Sequence, residues 1–263
     1  MRTRVLITGA GRGIGAATAQ RLRERGAQVI GLDLEAVGED VLACDVTDQA
    51  AVDSAVAEAI GRLGRLDVLI NNPGIGASQP SGEAPDERAQ AVIDVNLMGP
   101  WRVTSAAISA LRESRGRVIN VASGLAHVPF PFTSAYAMAK RGLTAYSDVL
   151  RVEHGDAITV TTVYPGYIRT QIHDEPSEQG LTLEGAVPAE DISGAVGTLE
   201  RAALGSPARD LGTTRLGHVG YAVLRRLPRG VMDRLVGAQL GRLARKGHFD
   251  DSQHGRELAE RLG

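Results

Sequence analysis

Arg4-Val-Leu-Ile-Thr8, Gly9-Ala-Gly-Arg-Gly-Ile-Gly15, an alanine-rich run to Gly26, and Gln28-Val-Ile-Gly-Leu-Asp33 decide the fold of this chain. A short apolar run, a glycine cluster, a periodic run and a second apolar run read as strand, turn, helix and strand. Glycines let the backbone turn sharply and let a pyrophosphate approach without a Cβ in the way. A helix starting near Gly13 points free N–H groups and its positive end at that anion. Asp33 comes 18 residues after Gly15, at the end of the second strand. A carboxylate there can accept hydrogen bonds from an adenosine ribose. A strict G-x-G-x-x-G from Gly9 fails at Ile14. What stands is T-G-x-x-x-G-x-G at Thr8, Gly9, Gly13 and Gly15, with a weaker G-x-G-x-x-A at Gly11, Gly13 and Ala16.

The alternation continues. Val41–Cys44, Leu66–Ile70, Gly116–Val121 and Ala157–Val163 read as further strands. Gln49–Leu63, Asp86–Arg112 (interrupted near Gly99-Pro100) and Ser134–Glu153 read as helices between them. Apolar strands separated by helices predict a single doubly wound, Rossmann-type parallel sheet with helices on both faces. Residues 1–263 then form one domain, with 205–263 as a basic, helical C-terminal extension of it.

Composition narrows the function classes. With 43% hydrophobic residues and a net charge of −2, the chain is an ordinary globular protein. A single cysteine, Cys44, permits no internal disulfide and points to a reducing, cytoplasmic setting. The chain enters a strand almost at once, leaving no room for a signal peptide, and lacks an 18-residue apolar run. From Arg201 onward there are 12 basic against 6 acidic residues. No aromatic residues are interleaved with them as a stacking platform would need, so nucleic acid is not an expected partner. No metal site is expected.

In doubly wound sheets the chemistry lies just beyond the carboxyl ends of the strands. Those positions hold the glycine turn, Asp33, Asp45-Val46, Asn71-Asn-Pro-Gly74, Ser123-Gly124 and Pro165-Gly166. The helix after Ser123 carries Tyr136-Ala-Met-Ala-Lys140, an i, i+4 pair on one face. A nearby ammonium favours the phenolate and is expected to lower the Tyr136 pKa, which suits a general acid/base for a carbonyl–alcohol interconversion. The chain has only two lysines, Lys140 and Lys246, among its 29 basic residues. A compact ammonium at position 140 is therefore a specific choice rather than ordinary surface charge.

With these motifs in this order, residues 4 to about 200 resemble the classical short-chain dehydrogenase/reductase family. The resemblance implies an oxidoreductase in which Tyr136 exchanges a proton with the substrate oxygen. Ser123 would orient that oxygen, Lys140 would acidify the tyrosine and hold the nicotinamide ribose, and Asn96 would kink its helix and hold a water leading from Lys140 to solvent. It also implies that Gly9, Arg12, Gly13, Ile14, Gly15, Asn72, Gly74, Pro165 and Gly166 line the cofactor. Asp45 would meet the adenine amino group with Val46 near the ring, and Ile168 and Thr170 would meet the carboxamide. Pro73 departs from the family's usual N-N-A-G, and with no backbone donor it must alter the local hydrogen bonding. Helices near 100–112 and 134–153 pair subunits in that family, implying a homodimer or tetramer.

Asp33 argues for NAD over NADP, because a carboxylate repels a 2′-phosphate; Arg12 argues the other way. Gln171–Pro188 reads as a lid over a fairly apolar small-molecule substrate. Met232, Leu235, Val236, Leu240 and Leu243 recur at helical spacing, either packed on the protein or forming a basic amphipathic surface for peripheral membrane contact. An epimerase or lyase on the same fold, and a non-catalytic dinucleotide sensor, are the rival functions. Ser123, Tyr136 and Lys140 weigh against the sensor, which needs no acid/base pair.

Overall fold

The computed structural model describes residues 2–170, 189–213, 222–223 and 226–262. Seven strands make one parallel sheet: β1 (Arg4–Thr8), β2 (Gln28–Asp33), β3 (Val41–Ala43), β4 (Val68–Asn71), β5 (Arg117–Val121), β6 (Thr159–Tyr164) and β9 (Asp210–Gly212). Their order across the sheet is β3-β2-β1-β4-β5-β6-β9, so strand order reverses between β1 and β4. A separate two-stranded piece joins β7 (Tyr167–Ile168) to β8 (Ala189–Glu190). The sequence reading anticipated β1 to β6. It missed β9, because three residues carry no measurable period; residues 205–263 are consequently not a purely helical extension.

Strand side chains alternate between two cores, as a sheet covered on both faces requires. Leu6, Ile30, Leu32 and Leu69 pack with Val52 and Val56 of α2 (Gln49–Leu63), Val103 and Leu111 of α4 (Gly99–Ser114), and Leu150 of α5 (Ser134–His154). Val5, Ile7, Val29 and Ile70 face the other way, onto Ala19 and Leu22 of α1 (Gly13–Glu24) and Leu199 and Ala202 of α6 (Ile192–Leu204). Arg21 of α1 and Arg25, the residue that caps its end, both bond Glu200 of α6, fastening that layer.

The break predicted near Gly99-Pro100 is a π-helical turn at Asp94–Met98, between α3 (Glu87–Ile93) and α4. Downstream, α7 (Arg229–Ala244) and α8 (Gln253–Leu262) pack on each other. On α7, Met232 and Leu240 are buried as expected, but Leu235 is 57% exposed. The five apolar residues of this stretch therefore do not share one inward face. The predicted lid Gln171–Pro188 lies outside the described residues, as does most of Leu216–Leu224. Among the described residues no helix is long and apolar enough to cross a membrane.

Candidate active site

The glycine turn closes on the strand-order reversal. Gly9 (φ +65°) and Gly13 (φ +56°) take left-handed backbone that side chains rarely adopt. Gly15 lets α1 come against the turn: a Cβ there would sit 1.8 Å from the Gly9 carbonyl oxygen. Helices α2, α3 and α6 are N-capped by Asp48, Asp86 and Asp191. The first turn of α1 has neither a side-chain cap nor an acid, which leaves its N–H groups to an anion. Ile14 is half-buried against the core, and Arg12 is exposed at the helix start.

Asp33 is held beside this turn. Its Oδ2 accepts from Gly11 N–H at 2.7 Å and its Oδ1 from Leu34 N–H at 2.9 Å. Asp45 is exposed, with Oδ1 accepting from Thr47 N–H and Oγ1. The Val46 side chain is buried in the core against Gly99. The resemblance put that side chain near a ring; in the structure it serves the α2–α4 packing.

Beyond β4, Asn72 N–H donates to Thr8 Oγ1 at 3.1 Å and Asn72 Nδ2 to Gly9 O at 3.3 Å, tying this loop to the glycine turn. Pro73 brings no donor, yet its carbonyl accepts from Lys140 Nζ at 3.4 Å. Gly74 is exposed at the loop's edge. Asn96, fully buried in the π-helical turn, clamps the far side: its Oδ1 accepts from Ile75 N–H and its Nδ2 donates to Ile75 O, both at 2.9 Å. The helix irregularity at Asn96 is as expected, while its side-chain amide is spent on Ile75.

Tyr136 and Lys140 project from the first turns of α5. Tyr136 is hydrogen-bonded to Ser123, whose Oγ also accepts from Leu125 N–H at the start of a 3₁₀ turn. Lys140 Nζ lies 5.8 Å from the Tyr136 ring centroid and donates to Val121 O at 3.0 Å. Burial pushes the Tyr136 phenol above its usual pKa, and the Ser123 bond pulls it back in part. Burial lowers Lys140 to about 8. The expectation that the lysine sets the acidity of the phenol thus needs correction here: the group acting on it directly is Ser123. The ammonium is turned to two backbone carbonyls.

Opposite, Pro165 O accepts from Gly124 N–H at 2.9 Å, bringing the end of β6 to Ser123. Ile168 is buried in β7. Thr170 Cγ2 stands 3.9 Å from where a Cβ on Gly13 would be, so this segment faces the glycine turn. An uncapped helix start, an acid at the end of β2 and a Ser–Tyr–Lys group along one sheet edge, with Ser123 and Lys140 buried and Tyr136 half-buried, fit a dinucleotide that carries a reactive ring.

The model of the short chain dehydrogenase family matches residues 3–180. The chain belongs to this family. This short-chain dehydrogenase is 33% identical over 186 residues to an L-fucose dehydrogenase of Bos taurus, covering 65% of this chain and 68% of that one. It is 34% identical over 200 residues to an NADPH-dependent 1-acyldihydroxyacetone phosphate reductase of Schizosaccharomyces pombe, covering 72% and 67%. A short chain dehydrogenase from Burkholderia cenocepacia solved with NADP superposes with a TM-score of 0.75 at 27% identity, covering 89% of this chain and 97% of that one. Like the family, this short-chain dehydrogenase is an oxidoreductase of CH–OH or keto groups that binds a nicotinamide cofactor.

Sequence reasoning passed over Glu190 and Thr213. Neither sits in a recognisable spacing, and Thr213 follows the short strand β9. Glu190 Oε2 accepts from Thr213 Oγ1 at 2.6 Å, and Thr213 Oγ1 accepts from Gly166 N–H at 3.1 Å.

Proposed function

We propose that this protein interconverts a secondary alcohol and a ketone with NAD preferred over NADP, and that Tyr136 is its general acid/base. The observation that carries this reading is the Ser123–Tyr136 hydrogen bond above the buried Lys140, beside the strands flanking the order reversal. A bound nicotinamide dinucleotide supplies the hydride acceptor or donor at this place. Tyr136 Oη takes the proton from the alcohol, or returns it to the carbonyl oxygen. Ser123 Oγ orients that oxygen with a second hydrogen bond. Lys140, held by Val121 O and Pro73 O, turns its remaining donor capacity to the ribose hydroxyls. Asn96 acts through Ile75, keeping the 72–75 loop in register with the glycine turn.

Gly9, Arg12, Gly13, Ile14 and Gly15 cradle the pyrophosphate. Asp33 takes the adenosine ribose, Asp45 flanks the adenine with Val46 packed in the core behind it, and Asn72, Gly74, Pro165, Gly166, Ile168 and Thr170 line the nicotinamide side. The two main-chain N–H groups on Asp33 hold a carboxylate where a 2′-phosphate would otherwise go, and this supports NAD. The segment between Ser123 and Tyr136 carries half-buried Leu125, Val128, Phe130 and Phe132, which supports a fairly apolar substrate. We read 1–263 as one catalytic unit working as a homo-oligomer.

A screen of secondary alcohols with NAD and NADP, following absorbance of the reduced cofactor, tests the reading. Wild type is expected to prefer NAD, and Asp33→Ala to move the kcat/KM ratio toward NADP by about tenfold, the scale of one relieved like-charge contact. A large wild-type preference for NADP defeats the NAD assignment. Turnover undiminished in Tyr136→Phe defeats the mechanism.

A further inference from the structure

Glu190 has no part in the chemistry described so far. It belongs to the two-residue strand β8, paired in register with Ile168 of β7. Its carboxylate stands over Gly166: a Cβ at that glycine would lie 2.6 Å from Oε1, 2.7 Å from Cδ and 3.0 Å from Oε2. Beside it, the Thr213 hydroxyl donates to Glu190 Oε2 at 2.6 Å. A hydroxyl has one proton; with that proton given to the carboxylate, its lone pairs are left to accept. They accept from Gly166 N–H at 3.1 Å. The Thr213 backbone N–H in turn donates to Tyr164 O at 3.3 Å, so the threonine is itself anchored to β6. The chain from peptide N–H to hydroxyl to carboxylate therefore runs one way, and a charged acceptor at its end strengthens it.

What this relay holds matters more than the relay itself. Gly166 follows Pro165, whose carbonyl is bonded to the residue next to Ser123. It precedes Tyr167-Ile168 and the approach to Thr170, which faces Gly13. The peptide plane of Gly166 thus sets the direction in which β7 leaves the sheet.

We propose that Glu190, acting through Thr213, is a positioning residue for the nicotinamide end of the cofactor site: it fixes the Gly166 peptide and so places Ile168 and Thr170 against Ser123 and the glycine turn. This rests on the oxidoreductase reading above. A tie that merely joined two pieces of sheet would affect stability and the fraction of competent protein, but not the affinity of each competent site.

NADH and NADPH titrated against the full chain by fluorescence, with thermal unfolding in parallel, separate the two. In Glu190→Ala and Thr213→Val the better-bound of the two cofactors is expected to bind about fivefold more weakly at full stoichiometry, the scale of one lost hydrogen bond. Glu190→Gln, which keeps an oxygen acceptor at the same reach, and Thr213→Ser, which keeps the hydroxyl, are expected to recover most of that loss. Gly166→Ala drives the carboxylate away and weakens binding alone, but adds little in the Glu190→Ala background, where the atoms it would strike are gone. Affinities within about twofold of wild type in both Glu190→Ala and Thr213→Val overturn the proposal. So does a loss of unfolding temperature and stoichiometry with unchanged affinity. Should Glu190→Ala fail to fold, the Thr213→Val and Thr213→Ser pair decides by the same criterion. A wild type that binds neither NADH nor NADPH fells the oxidoreductase reading, and this proposal with it.

Discussion

Lys140 is buried with its ammonium against two backbone carbonyls, and burial pulls its pKa down from 10.5 to about 8. In the unfolded chain it regains the ordinary value. Between about 8 and 10.5 the unfolded state therefore binds more protons, and stability from this group rises with pH across that window. Below it, the full cost of a desolvated charge is present, at most about 3 kcal/mol. Lys140→Met has no such cost. Its unfolding temperature relative to wild type is expected to be most favourable near pH 7 and to fall as pH rises through the window; a difference independent of pH contradicts the assignment. For the phenol, Tyr136→Phe is expected to lower kcat by about 10²- to 10⁴-fold, the usual span of acid–base catalysis, with NADH affinity near wild type. Tyr136, Lys140 and Ser123 were all readable from spacing. The balance between them was not, because it depends on which carbonyls the folded ammonium meets.

Helix α1 meets the turn only because position 15 has no side chain. Gly15→Ala would put a methyl 1.8 Å from the rigid Gly9 carbonyl, so the turn must move; NADH titration is expected to show binding lost and calorimetry a lower unfolding temperature. Helix α2 offers the contrast. Asp48 Oδ1 accepts from Ala50 and Ala51 N–H, and Asp48→Ala is expected to cost about 1 kcal/mol in urea unfolding with kcat unchanged. The glycine turn was visible in the sequence as a local pattern. Strand β9 and the outward placement of Leu235 were not. A three-residue strand has no period to read, and which apolar residues of α7 turn inward depends on where its neighbours lie.

At the scale of the molecule, strand order brings segments distant in sequence to one edge: the glycine turn, the 72–75 loop, Ser123, the start of α5 and Pro165-Gly166. That edge leaves the outer faces of α4 and α5 uncovered. Trp101, Val149 and Val152 are exposed there, Val152 at 87%, and Trp101 stacks on Tyr146 with ring centroids 5.5 Å apart. Exposed apolar clusters of this kind mark association surfaces. Light scattering is expected to give a dimer or tetramer for wild type and a smaller species for Val152→Asp; a monomeric wild type rules the surface out.

The amino-acid sequence by itself determined the parallel α/β class, the glycine turn with its acid, and the Ser–Tyr–Lys group. Each is a pattern over a few residues in which local geometry and residue type suffice. Only the tertiary structure decided the strand order, the pairing of Asn96 with Ile75, the lowered proton affinity of Lys140 and the Glu190–Thr213–Gly166 relay. Each of these depends on contacts between residues far apart in the chain, and desolvation and steric closeness exist only once the sheet has brought them together.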